Sequence, residues 1–60
     1  MWLWLTQIIP GYPDVRTCVN LDNVTRIIKK VDGGAALLFV DGRGVDVRES
    51  AESIAEKVSK

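Results

Sequence analysis

Residues 37–58 read LLFVDGRGVDVRESAESIAEKV, an apolar run, a turn, an alternating run and an amphipathic run in direct succession. That order predicts a β-hairpin feeding straight into a closing helix. Asp41-Gly42 between apolar runs is the signature of a two-residue type I′ turn, which needs φ > 0 at both central positions. With that turn, Val40 pairs with Arg43, Leu38 faces Val45 and Ala36 faces Val47 on the side the helix covers. Leu37 and Phe39 then fall on the opposite side, with Phe39 lying over the bare backbone of Gly44. Ser50 suits a helix N-cap and Glu52 favours the positive end of the helix dipole. Ala51, Ile54, Ala55 and Val58 follow at i, i+3, i+4 and i+7, one apolar stripe to set against the sheet. Asp46 and Glu49 read as solvated groups on the strand and at the approach to the helix.

The preceding residues supply more strands. Residues 2–9 read as a strand that is apolar on both faces, with Trp2 and Trp4 on one side and Leu3 and Leu5 on the other. Pro10-Gly11-Tyr12-Pro13-Asp14 reads as a rigid turn. Residues 15–20 make a short second strand, and Asn20 to Asn23 one helical turn or tight loop. Residues 24–31 form a third strand, Asp32-Gly33-Gly34 closes a hairpin, and residues 35–40 form a fourth. The fold class is therefore α+β: a small antiparallel five-stranded sheet or partly open barrel, in the order β-β-β-β-β-α, as one domain over residues 1–60.

Size makes that pattern consequential. A chain of 60 residues buries only about 60% of its unfolded surface, and a single core of this size supplies roughly 3–5 kcal/mol. Cys18 is the only cysteine and there is no histidine, so neither an internal disulfide nor a structural zinc site is expected. Association with other subunits is the stabiliser that remains. A strand apolar on both faces needs cover on both, and one helix covers one. Trp2, Trp4, Leu37 and Phe39 are accordingly the expected interface of a homo-oligomer. Surface indoles lying over long side chains, or a nucleic-acid stacking platform, are the other readings of the tryptophans. Residues 1–15 hold no Lys or Arg to support stacking on bases.

Eight Lys plus Arg balance eight Asp plus Glu, whereas a domain devoted to gripping phosphates is usually clearly basic. Arg26, Lys29 and Lys30 are the densest basic cluster. They read either as a charged edge that discourages strand pairing or as an anion or nucleic-acid patch. Gly33-Gly34 lacks the Walker spacing and precedes a strand, so it is no phosphate loop. Cys18 reads as a small buried hydrophobe; without His it lacks the usual base of a thiol nucleophile. No enzymatic activity, cofactor or metal is expected. The N-terminal MWLWLTQII is too short to span a bilayer and lacks the basic start and cleavage site of a signal peptide. A cytoplasmic protein is the expectation.

Several of these positions carry a resemblance. Leu5-Thr6-Gln7-Ile8, then Asn20 with Val24 and Ile27, then Asp41-Gly42, then Val47-Arg48-Glu49-Ser50 with Ile54 and Val58 follow one another in a fixed order. In this the chain resembles the small flagellar and swarming-motility proteins of the FlbD/SwrD-like family, which have a Leu-Thr-Arg-Leu type run, Asn-x-x-x-Ile-x-x-Ile, an Asn-Gly hairpin and a Val-x-Glu-Ser helix start. The Pro-flanked first turn is longer than that family's short Gly turn, and the doubled Trp strand departs from its pattern. The resemblance implies an accessory role at the flagellar motor and no catalytic residues. Asp41-Gly42-Arg43 with Val47-Arg48 and Ser50 is also similar to the last hairpin of LytTR-type DNA-binding domains, which are longer and basic.

Overall fold

The structure is a computed structural model that describes residues 1–59; Lys60, the last residue of the expected domain, lies outside the described residues. Five strands and one helix follow one another: β1 (Trp2–Ile8), β2 (Val15–Asn20), a 3-10 turn (Leu21–Asn23), β3 (Val24–Lys29), β4 (Ala35–Phe39), β5 (Gly44–Val47) and α1 (Ala51–Val58). The strands form one antiparallel sheet in the order β2-β1-β5-β4-β3. The sheet is not closed, and β2 and β3 are its edges. The 3-10 turn links those edges. Leu21 donates its N–H to Met1 O at 2.7 Å, and Asn23 O accepts from Val40 N–H at 2.9 Å. The start of β1 and the end of β4 are thereby drawn to one short segment, and Leu21 is buried there.

The β4–β5 connection corrects the expected register. Phe39 N–H, not Val40 N–H, bonds Arg43 O, at 2.8 Å, and Gly42 N–H returns to Phe39 O at 3.0 Å. Gly42 has φ +88°, while no described non-glycine residue, Asp41 included, has positive φ. A type I′ turn is therefore absent. The loop has three residues, a turn followed by a left-handed glycine that forms a bulge. Asp41 Oδ1 accepts the Arg43 N–H at 2.9 Å and steadies it. Val31-Asp32-Gly33 repeats the device before β4. There Gly33 N–H bonds Lys30 O at 3.2 Å, and Asp32 Oδ1 accepts from Gly34 N–H at 2.9 Å. Val31 and Val40 lie exposed in these loops instead of ending strands.

One residue of slip turns every side chain of β4 over. Leu37 lies opposite Val45 and Ala35 opposite Val47, while Leu38, not Phe39, lies opposite Gly44. Leu37 is 0% exposed. It sits in the core with Leu5, Val19, Leu21, Ala35, Val47 and Ile54, with Phe39 and Val45 packed against that cluster. The expectation that Leu37 and Phe39 share the helix-free face is thus overturned.

The helix begins as its sequence requires: Ser50 Oγ accepts the Ser53 N–H at 3.1 Å, with Glu52 in the first turn and Lys57 in the last. Its stripe is only half used. Ile54 is buried and Ala51 partly so, but Ala55 and Val58 are exposed. Ile54 plugs the core beside β3, the strand that α1 meets most. Since β3 is an edge, no further strand among the described residues lies under the rest of the stripe.

Candidate interaction surface

Strand alternation carries Trp2 and Trp4 to the face opposite Leu5. They are 67% and 60% exposed, whereas Leu5 is buried. β2 sets Asn20 opposite Trp2 and the half-buried Cys18 opposite Trp4. On its other side β1 pairs with β5 only at Gln7 and Ile8. The Leu21 to Met1 bond fixes the ladder so that odd-numbered residues of β1 bond β2. The backbone groups of Trp2 and Trp4 consequently point to the side where β5 has ended. Indole faces and main-chain groups at these two residues are free there of any neighbouring strand among the described residues. Trp2 also shares the rim of an open depression of about 330 Å3 with Val19, Asn23, Phe39 and Val45. Of the expected interface, then, Trp2 and Trp4 share the exposed face, Phe39 packs against the core and meets Trp2 only at the rim of that depression, and Leu37 lies in the core.

Thr6 marks where this free half of β1 begins. Its C=O accepts the Arg48 N–H at 3.0 Å. Its N–H is taken by the Glu49 carboxylate, at 2.9 Å to Oε1 and 3.1 Å to Oε2. Thr6 Oγ1 donates to Glu49 Oε2 at 3.1 Å and accepts from Arg16 Nη1 at 3.0 Å. Arg16 Nη1 lies 3.5 Å from the same carboxylate oxygen. β5 has stopped at Val47, and a side-chain carboxylate stands in for the next strand carbonyl. Partial burial pushes the Glu49 carboxyl up, but the Thr6 donors and the Arg16 charge outweigh it and hold the group below the usual glutamate range. Glu49 is therefore a tether between the helix start and β1, not the solvated group its sequence setting suggests. Arg48 makes a second tie by pairing with Asp14 in the first turn.

The basic residues do not converge. Lys29 lies on the helix side of β3 and pairs with Glu52 at 2.9 Å; that hydrogen bond and charge raise Lys29 above its ordinary value and lower Glu52. Lys30 alternates to the opposite side, 3.5 Å from Asp46 and 3.8 Å from Asp32. Arg26 lies opposite Leu38 and is exposed.

Among the described residues no three His, Cys, Asp or Glu side chains gather as a group able to hold a metal ion. No helix among them is long and apolar enough to cross a membrane. Compared with known proteins, the chain matches no family model, no curated protein and no solved structure.

Proposed function

We propose that the protein is a non-enzymatic module that associates with further copies of itself through the free half of β1. The carrying observation is the exposure of Trp2 and Trp4 on the sheet face that α1 leaves bare. Burying one large apolar side chain is worth about 1.5–3 kcal/mol, a large fraction of what a core of this size supplies. Two copies brought together bury four indoles, which contribute roughly a third of the ~1,600 Å2 of an ordinary stable interface. The unpaired backbone of the same residues adds hydrogen bonds to the contact. Formal neutrality sets up no like-charge repulsion between copies. The likeness to the FlbD/SwrD-like family supports a motility accessory role for the assembly, and a single thiol without a partner accords with a reducing, cytoplasmic setting.

Multi-angle light scattering at high micromolar concentration tests this reading. The native chain is expected to give the mass of a dimer or larger, and the Trp2→Ser/Trp4→Ser double variant the mass of a monomer. A native monomer at that concentration would remove the reading.

A further inference from the structure

Strand β3 is paired with β4 on one side and, among the described residues, with no strand on the other. Lys30 N–H bonds Gly34 O at 3.1 Å. The pairs Ile28 with Ala36 and Arg26 with Leu38 are therefore the hydrogen-bonded ones. The backbone groups of Ile27 and Lys29 point outward, ready to receive another strand.

An apolar trough runs beside that edge. Two depressions, of about 210 and 290 Å3, both include Ile27 in their walls. The first extends to Val24, Arg26 and Val58, the second to Ala51 and Ala55. The unused half of the helix stripe is thus one wall of the trough. A strand laid along β3 would set alternate side chains against Ile27, Ala55 and Val58. The side chains between them would lie beside Arg26 and Ile28.

Charge decides the occupant. β3 reads VTRIIK, with cations and no acid. Lys29 and Lys30 already face Glu52 and Asp46, while Arg26 forms no ion pair among the described residues. A second copy is disfavoured: the symmetric antiparallel register that clears the bulge at Val24/Arg26 is centred on Ile28 and sets Arg26 opposite Lys30. Like charges directly opposite destabilise a strand pair.

We infer that the β3 edge and the trough beside it bind an extended acidic segment of a partner protein. The segment adds a strand to the sheet, with apolar residues at alternate positions in the trough and acidic residues between them beside Arg26. This site is separate from the tryptophan face.

Two capped synthetic peptides test the inference, each with Val at alternate positions, one with Glu between and the other with Lys. Amide NMR spectra of the full chain are recorded during titration. The Glu peptide is expected to shift the amides of Ile27, Lys29, Ala55 and Val58 saturably, and the Lys peptide to leave them in place. Arg26→Glu, at an exposed position and checked for folding by circular dichroism, is expected to weaken the Glu peptide by about tenfold or more. The Trp2→Ser/Trp4→Ser variant is expected to bind it as the native chain does. Equal binding of both peptides, shifts on β2 instead of β3, or no shifts would overturn the inference. So would concentration-dependent broadening at β3 without peptide, which would show a second copy seated there.

Discussion

Glu49 accepts the backbone N–H of Thr6 at 2.9 Å and so carries the β1–β5 contact one step beyond the end of the β5 strand. It is also the residue before the helix cap. One carboxylate therefore fixes where the helix starts and where the free half of β1 begins.

Removing it has a calculable consequence. Glu49→Ala leaves the Thr6 N–H without its acceptor and removes the charge facing Arg16, and the loss of a charge-assisted hydrogen bond is expected to cost about 1–3 kcal/mol. The carboxyl is held below its unfolded value, so its contribution is fully present above the unfolded pKa and is lost as pH falls through the folded one. Urea midpoints of the native chain should decline below about pH 5. Glu49→Gln should be less stable at neutral pH and show a shallower decline. Parallel curves for the two would show that the tether contributes nothing.

The register of β4 gives a sharper contrast. Leu37→Ala empties a fully buried position and is expected to cost about 2–5 kcal/mol, enough to unfold a domain of this size. Leu38→Ala, on the opposite face, is expected to cost about 1 kcal/mol or less and leave a folded chain. Thermal melts of the two variants rank them directly. The reverse ranking would restore the two-residue turn.

The same loop makes a backbone prediction. Gly42 at φ +88° is in the left-handed region, where a Cβ costs roughly 1–2 kcal/mol. Gly42→Ala should lower the urea midpoint accordingly. A variant as stable as the native chain would place Gly42 in another conformation.

Much of this was legible in the residues themselves. Alternation set Trp2 and Trp4 on one face, Ser50 marked the helix start, and the Asx-rich segment after Asn20 became a 3-10 turn. Asp41-Gly42 marked a turn correctly but not its length. The pair fits the centre of a two-residue loop or the last two positions of a three-residue one, and the one-residue difference decides which side of β4 is buried. Leu37 moves to the buried side for that reason alone. The helix stripe is visible as a pattern, yet Ala55 and Val58 stay uncovered because strand order, which rests on non-local pairing, leaves an edge beneath them. Glu49 gave no local signal, since its partner Thr6 is far away in the chain. The basic cluster was visible as composition, but alternation sends Lys29 and Lys30 to opposite sides of β3.

Trp2 and Trp4 are the only tryptophans in the chain, so its indole fluorescence reports on the β1 face and on nothing else. Acrylamide quenching is therefore best followed as protein concentration is raised through the micromolar range. Self-association through β1 predicts quenching that weakens, with emission shifting to the blue, in step with the gain in mass. Indoles that stay equally quenchable at every concentration would contradict it.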